Sequence, residues 1–292
     1  VVSIGGHRNT ASVISVVVPA HNEAPVIGRL LRSLVSGARP GELQVVVVPN
    51  GCTDDTAAVA AGFGPPVEVV DVPQAGKYAA MRAGDDRATG SEVVYLDADV
   101  EMTAGDIRRL AEALREPGVL AAAPERVVPT DRSSWPVRWY YDVWQQLPVV
   151  REGLFGRGVI AVTGEARERL RAVPDVMGDD LAASVAFTAA ERRIVPGSRV
   201  IVHPPRTLGD LIRRRVRSVT ATTQLQQALP DAVDEARTTK ADLIGIVRAN
   251  PLAAPKLAVF LAVTLVTRRR AKRAVRAGDF TTWLRDESSR TA

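Results

Sequence analysis

The chain of 292 residues has little cysteine: Cys52 stands alone. One thiol excludes an internal disulfide and any cysteine-rich zinc site, and it fits a reducing compartment, with the cytoplasm as the default location. Aromatic residues make up only 4%, and none interleaves with the basic clusters of the second half, so no nucleic-acid partner is expected. Long apolar runs are also scarce. The run from Leu257 to Thr267 has eleven residues, against the roughly 20 that cross a bilayer. The apolar segment Val13 to Ala20 lacks a basic leader and a small-residue cleavage site, so no signal peptide is expected.

What is present is ordinary globular material. Hydrophobic residues at 46% and charged residues at 24% suit one large domain, or one domain with an appendage, able to bury a sizeable core. The formal charge of +5 is unevenly spread. Arg213, Arg214, Arg215 and Arg217 form one basic cluster, and Arg268, Arg269, Arg270, Lys272, Arg273 and Arg276 form another directly after the eleven-residue apolar run. Two readings of that second stretch stand: an interfacial anchor on the anionic inner face of the plasma membrane, or a core helix with a solvated basic end.

The first half alternates apolar, β-branched runs with helical patterns. Strands are expected at Val13 to Val18, Gln44 to Val48, Val67 to Val72 and Glu92 to Leu96. Helices are expected at Ala24 to Val35, Thr53 to Ala61, Tyr78 to Ala88 and Ala104 to Leu114. Strands that are apolar throughout belong to a sheet covered on both faces, which predicts a parallel α/β sheet with ligands at the carboxyl ends of the strands. Past Leu120 a strand-like segment to Val128 precedes the aromatic cluster Trp135, Trp139, Tyr140, Tyr141 and Trp144, read as an irregular helical insert. From Thr207 the pattern is mostly helical. The expected domains are therefore 1–206 and a helical extension, 207–292.

Each early strand ends in residues suited to polar recognition. The first gives Pro19-Ala20-His21-Asn22-Glu23 and the second Asn50-Gly51-Cys52-Thr53-Asp54-Asp55-Thr56. There Gly51 permits a tight turn, Thr53 or Asp54 can cap the next helix, and Asn50 remains free to read a base edge. The third gives Gln74-Ala75-Gly76-Lys77, a cation at a helix start, where phosphate is favoured. The fourth gives Asp97-Ala98-Asp99. Carboxylates two apart in an extended segment point the same way, and hard oxygen ligands suit Mg²⁺ or Mn²⁺. Taken singly, each of these is equally a helix cap, a solvated lysine or a solvated turn; four in a row along one sheet edge point to a ligand site.

In that order the motifs, with Gly-Lys-Tyr-Ala-Ala-Met-Arg-Ala-Gly before Tyr-Leu-Asp-Ala-Asp, resemble the family 2 glycosyltransferases from Ser12 to about Leu114. The resemblance implies the GT-A fold, a Rossmann-like three-layer α/β/α sandwich. It implies a nucleotide pocket made by Pro19, His21, Glu23 and Asn50, with Lys77 near the diphosphate or base, Asp97 contacting the ribose or helping the metal, Ala98 beside it, and Asp99 on a Mn²⁺ or Mg²⁺ ion. Met177-Gly178-Asp179-Asp180-Leu181 is similar to the family's acidic pair, so Asp180, or Asp179 beside it, is the expected base. In metal-dependent members a histidine in this region completes the metal site, so His203 is the candidate third ligand. Thr163-Gly164-Glu165-Ala166 resembles an acceptor-side segment, and the glycines of Phe155-Gly156-Arg157-Gly158 let the chain approach a substrate closely.

One departure stands out. The Gln-x-x-Arg-Trp of processive members is replaced by Arg214-Arg215-Val216-Arg217-Ser218, which argues for single sugar addition. The expected activity is a metal-dependent, inverting, non-processive transfer of sugar from a nucleotide diphosphate donor, UDP-linked, to an acceptor hydroxyl or amine. Alternatives are a sugar-phosphate nucleotidyltransferase, for which a glycine-rich loop after the first strand is lacking, and an inactive module that binds membrane or a partner through its basic tail.

Overall fold

A computed structural model describes residues 13–172, 184, 186–228, 238–277 and 286–290. Three buried strands, β1 (Ile14–Ala20), β2 (Leu43–Pro49) and β4 (Glu92–Leu96), and the half-buried β3 (Val67–Val69) carry the first half. They alternate with helices α1 (Ala24–Ser36), α2 (Thr56–Ala61) and α3 (Lys77–Arg87). After β4 come the short β5 (Val100–Glu101), α4 (Ala104–Ala113), β6 (Ala121–Val127), α5 (Trp135–Trp144), α6 (Pro148–Glu152), β7 (Val159–Thr163), α7 (Gly164–Arg171) and β8 (Arg192–Val202). One eight-stranded sheet results, ordered β3-β2-β1-β4-β7-β6-β8-β5.

The strands are apolar on both faces because both are covered. Val16, Val18, Val45 and Val47 pack with Ile27, Leu30, Leu31 and Leu34 of α1 and with Ile107 and Leu110 of α4. From the other face Val17 joins Ala166 and Leu170 of α7, and Val46 and Val48 meet Ala80 of α3. Each fully buried leucine or isoleucine in such a layer contributes about 1.5–3 kcal/mol. Gly84 of α3 lies so close to β1 that a Cβ there would fall 2.3 Å from Val17 Cγ1, which fixes how near α3 can sit. This is the expected three-layer sandwich.

The parallel sheet expected of the first half is found, and antiparallel pairings extend it. Strands β1 to β4 pair in parallel, but β7 runs antiparallel to β4, with Glu92 opposite Thr163 and Leu96 opposite Val159. An antiparallel β5–β8 pair closes the far edge. The β7 sequence is as apolar as its neighbours, and direction leaves no mark on composition. The register also moves the expected acceptor segment: Thr163 lies beside the start of β4, the end of the sheet away from Asp97. There its side chain caps α7 by accepting from Ala166 N, so Thr163 to Ala166 is a helix start remote from the strand ends.

Boundaries shift by a few residues. The Thr53 to Asp55 stretch is a turn ahead of α2, and the third strand stops at Val69, with only a bridge from Asn50 to Val72 beyond it. The aromatic cluster forms a regular helix, α5. Its Tyr140 and Tyr141 are buried with Val137 and Val143, and Tyr140 stacks on Phe260 at 5.1 Å. Phe260 belongs to the helix Ala254–Arg276, which with Leu211 of the helix Leu208–Ala228 completes a helical core against α5. The eleven-residue apolar run is therefore the middle of a 23-residue helix.

Candidate active site

Three loops at the carboxyl ends of β1, β2 and β3 are stitched into one surface. Asn22, at φ 53°, turns its Oδ1 to accept from Thr53 N at 2.7 Å. Glu23 N donates to Thr56 Oγ1 at 2.8 Å and Ala24 N to Asp54 Oδ2 at 3.1 Å. Gly51, at φ 55°, leaves no room for a side chain, since a Cβ would meet Ala75 N at 2.6 Å. The first turns of α1 and α2 are thus tied to each other, and the loop before α3 rests on Gly51.

Asn50 is the pin of this arrangement, and here the expectation of a base reader is corrected. It is buried, 3% exposed. Its Nδ2 donates to the carbonyls of Ala20 at 2.9 Å and Val48 at 3.3 Å, and its Oδ1 accepts from Gly76 N at 3.0 Å. A side-chain amide has two donors and one strong acceptor, and all are committed to backbone. Pro19 is likewise buried in β1. His21 is half-buried, with Nδ1 2.6 Å from Asn50 O.

Lys77 opens α3 and directs its ammonium to Asp97 Oδ1 at 2.5 Å. Asp97 N donates to Gly158 O at 2.8 Å. Gly158, at φ 66°, backs the carboxylate so closely that a Cβ would sit 3.0 Å from Asp97 Oδ2 and 2.8 Å from Val100 Cγ1. The close approach expected of the Phe155 to Gly158 segment is thus made to Asp97. Arg157 is a strut: its buried guanidinium donates to the carbonyls of Gly153, Pro124 and Arg151, and burial pulls its pKa down to about 10.

Asp97, Ala98 and Asp99 lie in the turn between β4 and β5 and not in extended chain, so the alternation of an extended segment does not govern where the two carboxylates point. Ala98 is buried, Asp97 meets Lys77, and Asp99 Oδ2 accepts from Arg290 Nη2 at 3.0 Å. Burial pushes the Asp99 carboxyl up, but Arg290, Arg214, Arg217 and Lys77 together outweigh that and hold it below the ordinary carboxylate range. Arg214 and Arg217 come from the helix Leu208–Ala228. Burial and the neighbouring Arg214 hold Arg217 below its usual value, the mark of two cations kept together.

The β5–β8 register explains where His203 stands. Val100 faces Val202 and Glu101 faces Ile201, so His203, just past the end of β8, comes to the end of β5 at which the Asp97 to Asp99 turn lies. His203 Nε2 lies 2.6 Å from Glu101 Oε1, and that oxygen also pairs with Arg29 Nε at 3.0 Å. Arg214 Nη1 donates to His203 O at 3.0 Å. Among the described residues no three ligating side chains converge as they stand. The Asp99 carboxylate is a hard oxygen donor of the kind that Mn²⁺ and Mg²⁺ take, and both ions keep coordination positions for water and phosphate.

Asp179 and Asp180 lie outside the described residues. Two participants escaped sequence reasoning. Glu101 extends the Asp97, Asp99 alternation by one step, so its signal was present. Arg290 lies 191 residues from Asp99 in the chain, and no local pattern marks it.

Comparison with known proteins bears on what this constellation does. The family model described as "Glycosyl transferase family 2" matches residues 15–155. An uncharacterized glycosyltransferase of Mycobacterium tuberculosis is 32% identical over 163 residues, covering 50% of this chain and 72% of that protein. Among solved structures, a mannosyltransferase from Pyrobaculum calidifontis in complex with GDP-Man and Mn²⁺ superposes with TM-score 0.61 at 22% identity, over 97% of this chain and 86% of that one. Glucosyl-3-phosphoglycerate synthase from Mycobacterium tuberculosis, in complex with Mn²⁺, UDP and glucosyl-3-phosphoglycerate, gives 0.52 at 21% identity, over 73% and 80%.

Proposed function

The chain belongs to glycosyltransferase family 2, and from that premise we propose that it is a metal-dependent, inverting, single-addition enzyme. It moves a sugar from a nucleoside diphosphate donor, UDP-linked by preference, to an acceptor hydroxyl or amine. The observation that carries this is the gathering of Lys77, Arg214, Arg217 and Arg290 around Asp99 at the carboxyl end of the central strands. Cations held together at the cost of desolvation are a diphosphate site in waiting, since the guanidinium fork matches phosphate oxygens.

In this reading Asp99 and His203 would hold Mn²⁺ or Mg²⁺, which would supply positive charge to offset that of the leaving diphosphate. Lys77, Arg214 and Arg217 take the diphosphate oxygens as the glycosidic C–O bond breaks and its electron pair departs with phosphate. Asp97 faces the ribose, and His21 and Glu23 line the nucleotide side. Asp180, with Asp179 as neighbour, accepts the proton as the acceptor oxygen or nitrogen bonds to the anomeric carbon from the opposite side. One displacement inverts the configuration. The Mn²⁺ and nucleotides named for the two structural relatives support this choice of cofactor and donor.

The helix Ala254–Arg276 adds a partner. One stripe, Phe260, Val263, Thr267 and Ala271, is buried against the helical core, while Ala258, Leu261, Ala262, Leu265 and Val266 form a second, exposed apolar stripe. Exposed Arg268, Arg269, Arg270, Lys272, Arg273 and Arg276 continue it. By length the helix could cross a bilayer, but a helix docked along one side and apolar on the other, ending in cations, suits the surface of an anionic membrane. Both sequence readings of this segment thus contribute to the proposal.

A screen of nucleotide sugars, read by thermal stabilisation and by hydrolysis with and without Mn²⁺, tests the activity. Stabilisation by one donor only when Mn²⁺ is present is the expected result, and the absence of any donor response under both conditions would refute it. Asp180→Asn should retain donor binding and lose turnover. Near-normal turnover would move the base to Asp179.

A further inference from the structure

The residues Asp286 to Arg290 return from the far end of the chain to the strand ends and are built in there. Arg206 N donates to Ser288 Oγ at 2.9 Å, while Asp286 Oδ1 accepts from Ser288 N at 3.0 Å and from Ser288 Oγ at 2.8 Å. Asp286 and Ser289 are 4% and 8% exposed. The segment positions one side chain with care. Arg290 donates Nε to Glu23 Oε2 at 3.0 Å and Nη2 to Glu23 Oε1 at 2.9 Å, a two-pronged pairing. The same Nη2 reaches Asp99 Oδ2 at 3.0 Å, and Nη1 is fixed on Asp286 O at 2.7 Å. The guanidinium therefore bridges a carboxylate after β1 to a carboxylate after β4, with only 11% of the side chain exposed.

The cation that Asp99 holds in this structure is thus Arg290, on the carboxylate assigned above to a divalent ion. Arg290 Nη2 occupies Asp99 Oδ2, and a divalent cation drawn to the same carboxylate meets the repulsion of that guanidinium, whose side chain is only 11% exposed. Resting on the proposed donor site, we infer that Arg290 is a donor-site residue that competes with the divalent cation for Asp99 and, once displaced, turns its guanidinium to the diphosphate. Glu23 keeps the arginine at hand while Asp99 passes to the metal. A guanidinium released beside a newly bound diphosphate exchanges one charge-assisted pairing for another. Metal and diphosphate then favour each other's binding, because the metal frees the arginine and the diphosphate gives it a new partner.

The test uses the full chain, with the wild type compared to Arg290→Gln and Arg290→Lys. Mn²⁺ alone is titrated by the loss of its free-ion electron paramagnetic resonance signal, and UDP and GDP are then titrated at saturating Mn²⁺. Arg290→Gln should bind Mn²⁺ about tenfold more tightly and the nucleotide about tenfold more weakly, the size of one charge-assisted contact. Arg290→Lys should fall between, because one ammonium cannot span Glu23 and Asp99 as the planar fork does. A strap with a merely structural role would lower the melting temperature and leave Mn²⁺ affinity unchanged. Unchanged or weaker Mn²⁺ binding in folded Arg290→Gln, or in Arg290→Lys if the glutamine variant does not fold, overturns the inference while leaving the proposed function in place. If the wild type binds no Mn²⁺ even with UDP or GDP present, the metal-dependent reading of the enzyme fails and the inference fails with it.

Discussion

Asn50 separates two roles that the same residue could hold, and its replacement measures which one it has. In Asn50→Ala the Gly76 N–H loses its 3.0 Å acceptor, and the Ala20 and Val48 carbonyls lose a donor. Ala20 O still accepts from Asn50 N at 2.8 Å, so the main loss is at Gly76 and at the tie between the loops. Stranding a fully buried polar group costs about 1–3 kcal/mol, and the half-buried Gly76 N–H falls toward the low end of that range. Loosening the packing around a side chain that is 3% exposed adds to this, for a total of about 2–4 kcal/mol. At this chain length that lowers Tm by roughly 2 °C per kcal/mol, and urea unfolding should give a lower midpoint at unchanged slope.

Asn50→Asp sharpens the test. A carboxylate keeps the acceptor for Gly76 N but turns an oxygen toward two carbonyl oxygens, so the charged form is disfavoured and its pKa rises. The folded pKa then exceeds the unfolded value near 4, the native state binds the extra proton, and stability falls as pH rises between the two values. Asn50→Asp should thus approach wild-type stability near pH 4 and lose it toward pH 7. If Asn50→Ala leaves the urea midpoint unchanged and instead abolishes nucleotide binding, Asn50 reads the base and the structural account is wrong.

Gly158→Ala forces a Cβ at φ 66° to within 2.8 Å of Val100 Cγ1 and 3.0 Å of Asp97 Oδ2. The left-handed backbone alone costs about 1–2 kcal/mol, and calorimetry with UDP should also find weaker binding as Asp97 and Lys77 shift; unchanged affinity would remove Asp97 from the nucleotide site. The Arg108 hydrogen bonds hold the Glu42 carboxyl below its ordinary value, burial opposing them. With the folded pKa depressed, this contribution is present above about pH 4.3 and is lost as pH falls through the folded value. Thermal melts from pH 6 to pH 3 should therefore fall less steeply in Glu42→Gln than in the wild type, and equal slopes would refute the assignment. Leu261→Asp with Leu265→Asp should leave the melt nearly unchanged, both side chains being exposed, and should abolish flotation with phosphatidylglycerol vesicles; retained flotation would exclude that stripe as the membrane face.

The strands and most helices of the first half were legible because their causes are local. A strand covered on both faces must be apolar at every position, and Val45 to Val48 or Val93 to Leu96 declare that without reference to anything distant. Direction is a different matter. Strand β7 is buried and apolar like β1, yet it runs the other way, and the reversal carried Thr163 to Ala166 to the wrong end of the sheet for an acceptor site. The same limit applies within the site. Lys77, Asp97 and Asp99 announce themselves by position after a strand, as every polar group following a buried run does. What each one binds is set by partners brought in from afar: Lys77 by Asp97, Asp99 by Arg290, and His203 by Glu101 through an antiparallel pair two residues long. A carboxylate's function follows from the cations around it, and at Asp99 three of the four, Arg214, Arg217 and Arg290, come from beyond residue 206. The helix Leu208–Ala228 and the segment that carries Arg290 therefore supply most of the positive charge around the carboxylate of the β4 turn.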